Sequence, residues 1–469
     1  MLRLNILTEF RTIKRNYWLS FITVLLLSLC LYAGWNGQNR VVQRQNSIAA
    51  AINQMKASDA LMMAHLDSLS AGHGINLASW QYPSLPTAAG DLNPRVTPFN
   101  PSHLSFVATG QSDMFNHYVK PTLTDDNFSI AFTELASPVS LLLGNFDLSF
   151  VLVYLLPLVI ISFSYNILSS EKEQGSFKLI ATSPLSLRLW LLQKVLVRFA
   201  IIVILLLTSL FIMFILFKVS INKLVLIFML QVCLYLAFWF VLAYLLNLRG
   251  ASSSTNAIVL LGCWVIVVLA IPSLVGQSAN VLYPTPSRTM LINEMRSLQA
   301  TVDKEQDKIL DDYLRSHPEL VTREADESTA YGWWQRYFAS KNLMLEKMGP
   351  LLTEYDQSLK KQQEWVHKLS FLSPSILLQN NLNHISNTST AHYNSYRESV
   401  LHFTDQWRDF FLPLVFQEEA FTKEMVAKLP KFHFDSSKVQ SPILLNSTIM
   451  VIIITSLLLL SFTIGIKTE

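Results

Sequence analysis

The stretch at residues 195–217, VLVRFAIIVILLLTSLFIMFILF, carries a single charge, Arg198. At about 1.5 Å of rise per residue, a helix of this length covers the roughly 30 Å of a bilayer's hydrocarbon core. Five further runs have the same character, at residues 17–35, 148–168, 224–246, 257–275 and 443–466. They explain why only 15% of the chain is charged, against about 25% in soluble domains. The chain is expected to be mainly α, a polytopic membrane protein with six transmembrane helices. That composition excludes an ordinary soluble enzyme and a disordered chain. A net charge of +3 without a basic tract gives no footing for nucleic acid. The first run is expected to be a retained span rather than a cleaved signal, because its apolar core is long and Tyr32-Ala33-Gly34 is a poor cleavage site.

Lysine and arginine mark the cytoplasmic side of a membrane protein. With residues 1–16 inside, the cytoplasmic pieces carry 11 basic and 4 acidic side chains, while the loops 36–147 and 277–441 each carry a net charge of −3. Both termini are therefore expected in the cytoplasm, with the two large loops periplasmic or extracellular. Within residues 1–16, Leu4, Leu7, Phe10 and Ile13 form an apolar side among Arg3, Arg11, Lys14 and Arg15, the pattern of an interfacial helix lying against membrane lipid. Cys30, Cys233 and Cys263 fall inside the spans and form no disulfide framework. The ten histidines all fall outside them, at spacings that select no metal site.

The first large loop opens with a helical stretch over residues 41–70, followed by the turn-rich segment from Gly72 to Pro101. In the second, Leu291, Met295, Leu298, Val302, Ile309 and Tyr313 make one helical stripe over residues 290–316. A return helix follows over residues 327–348. Gly349-Pro350 punctuates it before the pattern resumes toward Ser373-Pro374. A last helix over residues 391–412 sets Tyr396, Val400, Trp407 and Phe411 on one side. Residues 277–441 thus read as an antiparallel helical domain.

Residues 169–194 form the substantial cytoplasmic segment. Ser170 and Glu173 have capping-box spacing, which starts a helix where the membrane ends. Ser183-Pro184 supplies a second start. Between them a short amphipathic helix presents Phe177 and Ile180, a stiff element joined to two spans and suited to receive a push from a cytoplasmic partner.

Glu171, Glu173, Gly175, Ser176, Pro184 and Lys194 together resemble the pattern after the second span of type-2 ABC transporter permease subunits. In those proteins this segment is the coupling helix that docks on the ATP-binding subunit. Gly110-Gln111-Ser112-Asp113, the stretch from Pro138 to Asp147, Leu155-Leu156-Pro157-Leu158, Ser373-Pro374 and the aromatic run from Phe403 to Phe411 resemble one subfamily. Its permeases carry large extracytoplasmic loops, are described as domains of unknown function, and are often encoded as pairs. The subfamily usually has Arg where this chain has Lys172. The resemblance implies the cell inner membrane, a cytoplasmic ABC ATPase dimer as partner, and a second permease copy or a paralogous permease. It also implies that the second and fifth spans line the interface, and it assigns ATPase coupling to Glu171, Glu173, Gly175, Ser176, Phe177, Ile180, Pro184 and Lys194.

No Gly-x-x-x-x-Gly-Lys-Ser/Thr loop occurs, so ATP and Mg would be bound by the partner and no cofactor is expected in this chain. No nucleophile, base and oxyanion set has recognisable spacing, so the chain is not expected to be an enzyme by itself. The expected function is the membrane subunit of an ATP-driven exporter. The alternative is mechanotransmission, in which the outer domain moves to act on an extracytoplasmic partner. Pro157 and Pro272 should bend their spans and free backbone groups that need other partners. Arg198 should snorkel to the interface. Asn166, Gln231, Asn446 and Thr448 are open to substrate contact, with hydrogen bonding between helices as the cheaper explanation.

Overall fold

The computed structural model describes residues 9, 17–110, 112, 116–124, 146–177, 186–321 and 331–463. The expected interfacial helix of residues 1–16 therefore lies outside the described residues except for Glu9, as do Ile180 and Pro184. Strand is confined, among the described residues, to an antiparallel pair, β1 (Thr97–Pro98) and β2 (Tyr118–Val119).

Among the described residues, six helices are long and apolar enough to cross a bilayer, so the fold is that of a polytopic helical membrane protein. They are α1 (Tyr17–Ser70), α3 (Leu148–Glu173), α4 (Leu187–Leu216), α5 (Lys223–Leu248), α6 (Ser253–Leu282) and α12 (Ile443–Thr463). Several boundaries depart from the sequence expectation. The first span and the helical stretch after it are one uninterrupted helix of 54 residues, about 80 Å long at 1.5 Å per residue. Asn36 and Gly37 fail to end it because both are used in packing. Asn36 Nδ2 donates to Phe146 O at 2.8 Å, and the Phe106 backbone lies where a side chain at Gly37 would stand. The α4 helix starts at Leu187, capped by Ser186, so Lys194 lies within it rather than in a loop.

The helices between α1 and α3, and between α6 and α12, build a second, polar layer. They are α2 (Pro86–Leu92), α7 (Arg288–Val302), α8 (Gln306–Ser316), α9 (Trp333–Leu369), α10 (Pro374–Ile385) and α11 (Thr390–Phe416). The single helix expected over residues 290–316 is broken at Asp303–Glu305. The halves pack apart: Leu291 joins Met348, while Ile309, Leu310 and Leu314 join Phe338 and Trp407. Conversely, α9 runs straight through Gly349-Pro350. Pro350 and Glu346 are exposed, so the carbonyl that Pro350 leaves without a donor faces solvent, where the loss is cheapest. The expected stripe of α11 is observed, with Tyr396, Val400, Trp407 and Phe411 all buried.

Two cores result. One joins the spans and includes Leu377, Leu378, Leu382 and Ile385 of α10, so this helix of the polar layer is seated on the bundle. The other lies within the polar layer around Phe403, Trp407 and Phe411. The α1 helix serves both, with Leu26 and Cys30 in the first and Met62 and Leu66 in the second.

Pro157 and Pro272 bear out the expectation about freed backbone groups. Each follows a π-helical turn, Val151–Leu155 in α3 and Val265–Ala270 in α6. Proline has no N–H, so carbonyls in the preceding turn lose their donors. Side chains answer them. Tyr235 Oη donates to Val153 O at 2.9 Å, and Trp264 Nε1 donates to Tyr154 O at 3.1 Å. Val267 O receives Ser373 Oγ at 2.6 Å and Ser375 Oγ at 3.0 Å. A buried amide chain adds to this where α5, α10 and α12 meet. Asn446 Nδ2 donates to Asn381 Oδ1, Asn381 Nδ2 to Gln231 Oε1, and Gln231 Nε2 to Ser447 Oγ, each at 2.8 Å. Thr448 instead bonds Leu444 O in its own helix.

Replacing Ser373 and Ser375 together by Ala leaves Val267 O unanswered among apolar helices and should cost about 1–3 kcal/mol, read as a lower thermal midpoint in detergent. Either single replacement should cost less, because the remaining hydroxyl still reaches the same carbonyl.

Candidate functional site

The residues expected to form a coupling segment sit at the end of the bundle away from the polar layer. There α3 loosens into turns at Tyr165–Leu168 and closes with the short helix Ser169–Glu173. Asn247 of α5 fills the gap: its Nδ2 donates to Ser164 O at 2.9 Å and its Oδ1 accepts Leu168 N–H at 3.2 Å. Asn256 Nδ2 donates to Tyr165 O at 3.2 Å, and the Ser169 and Ser253 hydroxyls meet at 2.8 Å. The loosened turns are thus held by α5 and α6.

The capping box expected between Ser170 and Glu173 is not formed. The helix is capped at Leu168 without a side-chain bond, and Ser170 N–H donates to Asn166 O. Glu173 reaches across instead, accepting the Ser253 backbone N–H at 2.9 Å. Ser253 is the first residue of α6, so the carboxylate sits at that helix's positive end, where free N–H groups and the helix dipole favour an anion.

Glu171 lies on the inner side. Its Oε1 accepts Lys194 Nζ at 2.8 Å, and its Oε2 accepts the Ser176 hydroxyl. Lys194 also lies 3.2 Å from Glu9 Oε1 and 4.5 Å from the centre of the Trp190 ring. Glu9 Oε2 accepts Arg198 Nε at 2.8 Å, and Arg198 donates its Nη1 to Phe163 O. Arg198 therefore does not snorkel. Its side chain is 8% exposed and that of Glu9 2%, so the guanidinium is enclosed and paired. Burial pushes the Glu9 carboxyl upward, but the Arg198 and Lys194 charges outweigh it and hold the group below its ordinary value.

Gly175 has φ +77°, the left-handed region that glycine enters without strain. It ends the short helix by donating N–H to Lys172 O at 3.1 Å. Nothing lies within 4 Å of where its side chain would be, so its contribution is conformational. Phe177 packs on the bundle core under the Lys172 ammonium, 5.0 Å from the ring centre, and Lys172 Nζ also reaches Gly250 O at 3.5 Å.

Glu171, Ser176 and Lys194 are thus brought together, Glu173, Gly175 and Phe177 adjoin them, and Ile180 and Pro184 lie outside the described residues. Glu9, Arg198, Asn247 and Ser253 were missed by sequence reasoning. Arg198 did carry a signal, since a charge inside an apolar run demands a partner. Mechanically, one short segment is bonded directly to α4, α5 and α6 and through Lys194 to Glu9, so a displacement of it is passed to all of them.

Arg198→Met leaves Glu9 to Lys194 and Phe163 O without its donor, and should cost about 1–3 kcal/mol, whereas the double change Arg198→Met with Glu9→Leu should recover part of it. Because the folded Glu9 carboxyl lies below its ordinary value, its contribution is full at neutral pH and is lost as pH falls through the folded value. Thermal unfolding in detergent followed from neutral pH to well below the ordinary carboxylate range should show a shallower decline for Glu9→Gln than for the unaltered chain.

Residues 288–435 match the family model described as Domain of unknown function (DUF3526). The matched stretch lies between α6 and α12, so the coupling segment falls outside it. No curated protein and no solved structure shows significant similarity to the chain.

Proposed function

We propose that this chain is the membrane subunit of an ATP-driven exporter of the type-2 ABC kind, coupled to a separate cytoplasmic ATPase dimer that binds ATP and Mg. It would work as two copies or beside a paralogous permease, in the cell inner membrane with both termini cytoplasmic. The observation that carries the reading is the paired use of Glu171 and Glu173. One carboxylate grips α4 through Lys194 and the other grips the first turn of α6, so a push on five residues reaches two spans. A plain connecting loop has no need of such bracing.

A second reading, mechanotransmission to an extracytoplasmic partner, is favoured by α1. This helix runs unbroken from the span into the polar layer, where Met62 and Leu66 are buried in the second core and Asp67 pairs with Lys423 at 2.7 Å. Tilting its membrane portion would swing the polar layer as a lever. Under this reading nothing passes between the spans. ATP-dependent cross-linking of residues 277–441 to a partner protein supports it, and cargo trapped between the spans counts against it.

Coupling is tested on the complex purified with its neighbouring gene products. Replacing Glu171 and Glu173 by Ala should leave the six spans inserted while detaching the ATPase or freeing its hydrolysis from transport. If ATPase binding and transport-linked hydrolysis both survive, the coupling assignment is wrong. Gly175→Val should weaken coupling through left-handed strain of about 1–2 kcal/mol, and Gly175→Asn should weaken it less.

A further inference from the structure

At the opposite end of α6 from Glu173, a cleft of about 880 Å³ opens between the last turns of α6, the end of α9, α10 and the start of α12. Its volume falls in the range of sites that enclose a drug-sized ligand. Beside four hydroxyls and two imidazoles, its polar wall carries seven amides, among them Gln277, Asn280, Gln362, Gln363, Asn380 and Asn383. Three of them are fixed in orientation. Gln362 Nε2 donates to Tyr283 O at 2.6 Å, Gln363 Oε1 accepts Asn394 Nδ2 at 3.5 Å, and Asn383 Oδ1 accepts Gln379 Nε2 at 2.9 Å. Pro272, Ala279, Val366 and Leu445 supply the apolar wall.

Among the described residues, no Asp, Glu, Lys or Arg lines this cleft, and neither does Phe, Tyr or Trp; its rings are the imidazoles of His367 and His384. The surrounding stretch 277–441 carries 18 basic and 21 acidic residues, so a neutral cleft of this size is a selective feature. A charged ligand entering it would lose hydration with no carboxylate, ammonium or guanidinium in return, and a sugar would find no Phe, Tyr or Trp face to stack on. A primary amide offers two donors and an acceptor in one plane, the complement of a peptide bond. His384, whose Nε2 lies 2.9 Å from Gln440 O at the rim, is held below its ordinary value by burial and adds no charge at neutral pH.

We propose that this cleft binds an uncharged, extended peptide segment through its backbone amides. Its role as a cargo site rests on the transport reading above, which it deepens. Binding itself does not depend on that reading. The α6 helix joins the two sites: its first residue is held by Glu173, and its Pro272, just past the π-helical turn, forms part of the cleft.

The test uses the full chain in detergent, without ATPase, and a photoreactive probe: an acetylated Ala-Gly-Ser-Ala-Gly-Ser amide carrying a benzophenone. Labelling is expected within residues 272–280 and 362–367, competed by the unlabelled neutral peptide but not by tri-lysine or tri-glutamate versions or by maltohexaose. Gln277→Leu with Asn380→Leu should weaken binding roughly tenfold through two lost hydrogen bonds. Should that variant not fold, Asn380→Asp keeps the shape, places a charge in the neutral cleft and should weaken binding likewise. Labelling elsewhere, equal competition by charged peptides or maltohexaose, or unchanged affinity in the folded variant overturns the proposal. In the complex, intact labelling without peptide-stimulated hydrolysis removes the transport role and keeps the cleft, while stimulated hydrolysis without labelling does the reverse.

Discussion

A guanidinium enclosed among apolar helices must be answered by a carboxylate, and at Arg198 that carboxylate is Glu9. The rest of this end of the bundle follows from the pair. Glu9 shares its charge with Lys194, Lys194 passes it to Glu171, and Glu171 fixes Ser176. Buried ion pairs repay their desolvation only incompletely, so their effect here is placement more than stability. The chain of charges holds residues 171–176 against the bundle. A rigid connection transmits force, and a loose one absorbs it.

The same demand for partners governs the broken spans. The π turns before Pro157 and Pro272 open carbonyls inside the bundle, and each is closed by a side chain from a different element: Tyr235 from α5, Trp264 from α6, and Ser373 with Ser375 at the start of α10. Irregular backbone at membrane depth is tolerated only where protein answers it, so these bonds hold the discontinuities in place and also stitch the elements together. Through Val267 the middle of α6 is tied to α10, and through Asn381 α10 is tied to α5 and α12. The polar layer therefore stands on α5, α6 and α12 through hydrogen bonds as well as packing.

The spans were legible because burial in lipid needs apolar residues all round a helix, a signal that survives without knowledge of any neighbour. The stripe of α11 was legible for a related reason, since its period belongs to one element. What escaped is set by distance along the chain. Glu173 has capping-box spacing to Ser170, but its real partner, Ser253, is 80 residues away. Glu9 and Arg198 are separated by 189. The continuity of α1 through Asn36 and Gly37 depends on Phe146 and Phe106, neither of which a local pattern contains. Gly349-Pro350 misled in the opposite direction, because a proline's cost depends on whether the carbonyl it orphans faces water, which spacing alone does not reveal. At the candidate site, the residue types were readable and their pairings were not.

Among the spans, α6 is held least by packing and most by its ends. Only 17% of its most apolar stretch is buried within the chain, against 61% in α3. Yet its first turn is fastened by Glu173 and Ser169, its middle by Ser373 and Ser375, and its last turns by Trp365 donating to Ser278 Oγ at 3.0 Å. A helix with few side-to-side contacts and firm polar anchors moves when its anchors move. Its π turn, where the backbone bonds are already interrupted, is where such movement costs least. The bracing of residues 169–176 and the interruption of α6 are therefore complementary: the first makes the push stiff, and the second gives the pushed helix a place to bend, beside the amide-lined cleft.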